Sequence, residues 1–258
     1  MTDAFADPSA QRRIAILPLG ATEQHGPHLP PETDAIIAGR LAQAAAARVR
    51  PALAVDVLPV EAVGYSIEHA GFPGTRSLSF AAAVERWVAA GERVFAAGGR
   101  RLLLLNAHGG NAPLMTIAAT ELRARHPMLV ATTSWTRFGY PAEVVDARER
   151  ALGIHAGFIE TSVMLALAPE LVAMDKAADF ASAQAGFEDR FRHLRAYGPH
   201  AFGWMMRDLS PEGATGNAAA ASAAAGRRIV DHAVEGLAEL LADIAAFDLG
   251  HFDAAPAR

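Results

Sequence analysis

The chain reads as an α/β protein built on a mostly parallel central sheet with helices on both faces. Two observations predict it. Short unbroken apolar runs of strand length recur along the 258 residues, and stretches with helical spacing separate them. A third sets the scale: 52% of the residues are hydrophobic and 20% charged, enough to bury a sizeable core.

The elements follow in order. "RRIAILPLG", residues 12–20, is an apolar run between charges and a Gly turn, hence a buried strand. Residues 33–49 read as a helix, with Thr33 as N-cap and Ile37, Leu41 and Ala45 at helical spacing. "ALAVDVLPV", residues 52–60, is a second strand, and residues 61–77 are too dense in Gly and Pro for regular structure. Ser79 opens a helix that Gly98–Gly99 stops. Strand 101–106, a helix through 112–126 and a strand within "MLVATTSWTRF", residues 128–138, come next. Residues 155–171 are mostly helical, 210–217 ("SPEGATGN") form a Gly-rich loop, and 218–246 an Ala-rich closing helix. With no internal repeat or linker, residues 1–258 are expected to form a single domain.

Composition removes several classes of function. The formal charge is −5 and the Arg pairs are short, so no basic surface points to nucleic acid or an anionic membrane. There is no cysteine, hence no disulfide, thiolate nucleophile or Cys-bound zinc; a metal here must use His, Asp and Glu. The first thirteen residues lack the apolar core of a secretory signal, and the apolar stretches are too interrupted to span a membrane. A cytoplasmic protein is the expectation. GxSxG, Walker A, GxGxxG and HExxH are all missing, while Ser66 and Ser134 read as ordinary loop or strand serines.

What remains is a constellation of hard ligands at expected strand ends. Glu23 and His25 follow the first strand, and an extended backbone puts i and i+2 on the same side. Asp34, alone, would be a helix-start acid meeting the macrodipole; with Glu23 and His25 it becomes a metal candidate. His108 closes the apolar strand "LLLLN", and Gly109 and Gly110 permit close backbone approach. In "HAGFIETS", His155 is placed at or before the first turn, and Glu160 projects from a stripe otherwise apolar, where a buried carboxylate needs a partner. Two histidines and three carboxylates (Glu23, His25, Asp34, His108, Glu160) suit two divalent ions of zinc, manganese or iron. His155, left uncoordinated, would then move a proton to a leaving nitrogen.

"LPLGATEQHGPHLPPETD", "GYSIEHAGFPGT", "LNAHGGN" and "HAGFIETS", in that order, resemble the creatininase (creatinine amidohydrolase) family. The resemblance implies a three-layer α/β/α sandwich with a dinuclear centre that hydrolyses amide C–N bonds, often as a homohexamer. It makes Glu23 and His108 ligands of one ion, His25 of the other, Asp34 the bridge and His155 the catalytic histidine. Creatinine-hydrolysing members carry an acidic second-ion ligand two residues after the strand-end histidine. Gly110 stands there in this chain, and Glu160 is the candidate replacement, counted also with His155 among the catalytic residues. Tyr65, Glu68 and His69, with Gly109 and Gly110, are expected to contact substrate, with Phe72, Trp135 or Trp204 completing the pocket; His28 is expected either to hydrogen-bond a ligand or to be a Pro-flanked structural histidine. The leading expectation is a metal-dependent amidohydrolase acting on a small linear or cyclic non-peptide amide, in a homo-oligomer. The alternatives are a peptidase trimming a short or modified peptide of the mycofactocin-maturation type, a true creatinine amidohydrolase, or a catalytically silent binding protein.

Overall fold

Four strands form one parallel sheet in the order β2-β1-β3-β4: β1 (Ile14–Leu19), β2 (Val55–Val57), β3 (Arg101–Asn106) and β4 (Leu129–Ser134). The computed structural model describes residues 12–252; most of the N-terminal segment read for a signal peptide lies outside them. Every residue of β1 and β3 is buried, and their side chains alternate between two cores. Ile14, Ile16, Leu103 and Leu105 face one, while Ala15, Leu17, Leu102 and Leu104 face the other. That two-sided burial is why these strands read as continuous apolar runs.

Helices α1 (Thr33–Val49), α5 (Phe158–Leu167) and α8 (Ala223–Ala246) cover the first face; α2 (Phe80–Ala96) and α3 (Ala112–Arg125) cover the second. The result is the expected three-layer α/β/α sandwich. The chain leaves β1 through α1 towards β2, then returns through α2 to β3 on the other side of β1. Between β1 and β3 the strand order therefore reverses, which is where open α/β sheets open a crevice for ligands. The register levels the C-terminal ends: Leu19 pairs with Asn106, and Asn106 with Ser134.

The second strand is shorter than expected, three residues instead of nine, because Pro59 removes a ladder donor and only Ile14–Ile16 of β1 pair with it. Thr33 lies inside α1, donating its hydroxyl to the Pro30 carbonyl, with Glu32 at the cap position. Ser79, the expected start of α2, is its N-cap and accepts the Ala82 N–H. The closing helix starts later, at Ala223, capped by Ser222 through the Ala225 N–H. Sequence reading missed α4 (Ala147–Leu152), α6 (Gln184–Arg190), α7 (Met206–Leu209) and a two-stranded antiparallel ladder of β5 (Asp179–Phe180) with β6 (Gly216–Asn217). No helix among the described residues is long and apolar enough to cross a membrane.

Gly226 in α8 lies against the carbonyl of Ser162 in α5, which a Cβ would overlap. Gly226→Ala must push the two helices apart and is expected to destabilise the fold by about 2 kcal/mol. Urea denaturation measures the loss; an unchanged midpoint would contradict this packing account.

Candidate metal centre

The C-terminal ends of β1 and β3, the loop 61–77, the first turn of α1 and the start of α5 converge on one buried cluster. Glu23, His25, Asp34, His108 and His155 are each at most 7% exposed, and Glu160 is half-buried. Oε1 of Glu23 is the hub: His108 Nδ1 lies 3.1 Å away, His69 Nε2 3.5 Å, His155 Nδ1 3.7 Å and His25 Nε2 4.0 Å. Asp34 reaches two of the same rings, through Oδ1 to His25 Nε2 at 3.2 Å and through Oδ2 to His108 Nδ1 at 3.3 Å.

Local structure explains why these side chains meet. Asn111, fully buried, donates to the Gly20 carbonyl at 3.0 Å and accepts the Tyr65 N–H at 3.0 Å, tying the end of β1 and the loop 61–77 to the turn that carries His108. Ser66, fully buried, donates its hydroxyl to Glu23 Oε2. At the far side, His155 precedes α5 and its carbonyl accepts the Thr215 N–H at 2.9 Å. Ala156 next to it has φ +53°, a left-handed conformation costly for a residue with a side chain. Glu160 is anchored there, its Oε2 accepting the Ala156 N–H at 2.6 Å.

Three histidines share one arrangement. His25 Nδ1 sits 3.0 Å from the Glu23 carbonyl, His108 Nε2 2.8 Å from the Tyr65 carbonyl and His155 Nε2 2.8 Å from the Gln24 carbonyl. A carbonyl only accepts, so each outer nitrogen carries the proton and, in the neutral ring, each inner nitrogen presents a lone pair to the carboxylates. Lone pair against carboxylate is repulsive unless a cation lies between them.

The titration behaviour expresses the same demand for positive charge. Burial opposes charging His25, but the charge and hydrogen bond of Asp34 outweigh it, with Glu160 and Glu23 adding, and its pKa rises to about 10. His108 is likewise raised well above the usual histidine value: burial opposes, and Glu23 and Asp34 prevail. Glu160 is pushed up by burial and by Asp34 and Glu23. His155 is driven well below its usual value by burial and by the charge of His25, so it stays neutral. Burial, with His108 and His25, lowers His69 to about 3.

The donors fit divalent ions. Glu23, Asp34 and His108 form one trio whose ligand atoms lie within 4.8 Å of one another, and His25, Asp34 and Glu160 form another. Asp34 belongs to both. Glu23 also forms trios with His25 and His155, and with Glu68 and His69. Oδ2 of Asp34 is buried without a hydrogen-bond partner, an orphaned acceptor of the kind an ion satisfies.

The remaining expected residues are placed as follows. Glu68 Oε1 lies 3.3 Å from His108 Nε2, on the outer side of that ring. Tyr65 contributes its carbonyl to His108 while its ring packs against the core of α2 and α3. Gly109 lines a cavity of about 130 Å³ with Glu23, His108, Trp135, His155 and Glu160. Gly110 does not: a Cβ there would run into the Tyr65 carbonyl, Glu68 and His108 Nε2. Phe72 lies under the Arg207 guanidinium, and with Trp204 it packs in a small separate core. His28 hydrogen-bonds Thr161 at 2.8 Å and not a candidate ligand, in keeping with the structural one of its two expected roles. Sequence reading missed Ser66, whose partner is 43 positions away, and Gln24, whose burial no periodicity signals.

The sheet thus gathers carboxylates and imidazoles at its switch point, groups that could hold a metal ion. A family model described as creatinine amidohydrolase matches residues 1–241, and the chain belongs to the creatininase family. It is 35% identical over 225 residues to the mycofactocin precursor peptide peptidase of Mycobacterium ulcerans, covering 85% of this chain and 81% of that one. It is 32% identical over 182 residues to the creatinine amidohydrolase of Pseudomonas putida, covering 64% of this chain and 68% of the relative. A crystal structure of creatinine amidohydrolase (creatininase) superposes with a TM-score of 0.73 at 26% identity, over 93% of each chain.

His28 yields a prediction about pH. Burial and the charge of His25 lower its pKa from 6.5 to about 4, so between those values the unfolded chain binds the proton that the folded one refuses. Its contribution is complete above pH 6.5 and lost as pH falls towards 4, on the order of 3 kcal/mol. Urea unfolding across this range is expected to show a flatter acid limb in His28→Leu than in the wild type.

Proposed function

We propose that the protein hydrolyses an amide C–N bond at a dinuclear metal centre. The sharing of Asp34 between two ligand trios supports it: Glu23, Asp34 and His108 would hold one ion and His25, Asp34 and Glu160 the other. Divalent ions there would supply Lewis acidity and lower the pKa of water near pH 7. The chain's own groups do the rest. Nδ1 of His155, unprotonated and facing the cluster, accepts a proton as water attacks and returns it to the leaving nitrogen. Trp135 and Ile154 wall the cavity, and the exposed edge at Gly109 leaves room for substrate. Glu68, outside the His108 ring, holds that ligand's orientation.

A peptide is the substrate we favour over a small non-peptide amide. A second hollow of about 210 Å³ adjoins the first through Trp135, Thr136, Ile154 and Glu160, room beyond what a small ring needs. The mycobacterial relatives, similar over more than four-fifths of this chain, are named as peptidases. We read the chain as a single domain acting in the cytoplasm. We also read it as a homo-oligomer, which would cover exposed Phe80 and Ile117 in the groove between α2 and α3.

Mass spectrometry of purified protein is expected to find about two divalent ions per chain. Asp34→Ala should lose both and Glu160→Ala one. Two ions retained in Asp34→Ala would remove the bridge. Turnover of creatinine, an N-formyl amine and a short peptide, compared at equal enzyme, decides the substrate; the peptide is expected to be cleaved fastest, and inactivity on all three would sink the reading.

A further inference from the structure

Gln24 stands between two candidate ligands and is 8% exposed. Two backbone groups orient its amide: Oε1 accepts the Gly26 N–H at 2.9 Å, and Nε2 donates to the Gly213 carbonyl at 2.8 Å. Exchanging oxygen and nitrogen would set donor against donor and acceptor against acceptor, so the orientation is determined. The second proton of the amide is directed at Nδ1 of His69, 2.9 Å away. Nδ1 must therefore accept, and a neutral ring that accepts at Nδ1 carries its proton on Nε2. That nitrogen is the one 3.5 Å from Glu23 Oε1, inside the cluster.

His69 thus differs from His25, His108 and His155, whose neutral rings present lone pairs at their inner nitrogens. By distance alone it joins Glu23 and Glu68 in a possible ligand trio. Ligation through a protonated nitrogen is ruled out, and removing that proton would leave an imidazolate beside a carboxylate. What the ring offers is one aimed N–H. Its neighbour His155, with ring centroids 4.4 Å apart, offers a lone pair. An amide group has complementary needs, an oxygen that gathers charge during attack and a nitrogen that must receive a proton.

We propose that His69 is a hydrogen-bond donor of the active site, locked by Gln24 in the Nε2–H tautomer, which holds the substrate's carbonyl oxygen while His155 serves the nitrogen. The proposal rests on the amide-hydrolysis reading above. It also accounts for "SPEGATGN". Gly213 has φ +74° and a side chain there would overlap the Gln24 amide, so the glycine supplies both the turn and the carbonyl that orients Gln24.

The test uses zinc-loaded protein and long-range proton–nitrogen correlation NMR of the imidazole rings. His69 is expected as the neutral Nε2–H tautomer, and Gln24→Glu should invert it, because a carboxylate accepts from Nδ1–H. His69→Ala should keep the wild-type zinc content, while kcat on the amide turned over fastest falls by roughly 10²- to 10³-fold, the usual effect of removing one oxyanion donor. An Nδ1–H tautomer in the wild type, zinc loss in His69→Ala or an unchanged kcat would each overturn the proposal. The tautomer is read without substrate, so this failure is separate from failure of the amide-hydrolysis reading, which the substrate comparison decides.

Discussion

Three carboxylates drawn into one buried cluster set the terms for everything around them. Glu23 and Asp34 are each 1% exposed, and Glu160 joins them from the start of α5. Isolated charges at such depth cost many kcal/mol, so they persist only where positive charge and donors are supplied. The surrounding histidines, the Ser66 hydroxyl on Glu23 and the Ala156 N–H on Glu160 are the local response. The upward shifts of His25 and His108 show that this response leaves an appetite for cations. Two divalent ions with Asp34 between them would satisfy it.

The fold delivers these groups through the register of a small parallel sheet. Because Leu19, Asn106 and Ser134 stand level, the chain segments after β1, β3 and β4 emerge side by side. Asn111 then clasps the first two together with the loop 61–77, a backbone knot made by one side chain with three partners. The fourth contributor comes from further away. His155 and Glu160 are held by pairing with Thr215 and by a left-handed Ala156, backbone strain that the surrounding packing must offset.

Much of this was legible in the chain. Strand 101–106 was read with the bounds found, because a two-sided apolar run ends sharply at Asn106. The start of α2 at Ser79 was legible too, because a periodic stretch follows it directly. Short elements such as α4 and the β5–β6 ladder were not, since six residues or two carry too little periodicity to register. Ser66 escapes a local reading because its partner is distant in the chain, and only the fold chooses between the two roles open to His28, by placing it against Thr161.

The division is therefore one of range. Local chemistry determined the α/β layers, the ligand-type residues at strand ends and the family they resemble, since propensity, capping and motif spacing act within a few residues. Tertiary structure alone decided which nitrogen of each ring faces the carboxylates and that Gly110 has no room for a side chain. It also decided that Gln24 turns His69 into a donor. Those outcomes depend on carbonyls and amides brought together from segments as far apart as residues 24 and 213, and no local pattern encodes such a meeting.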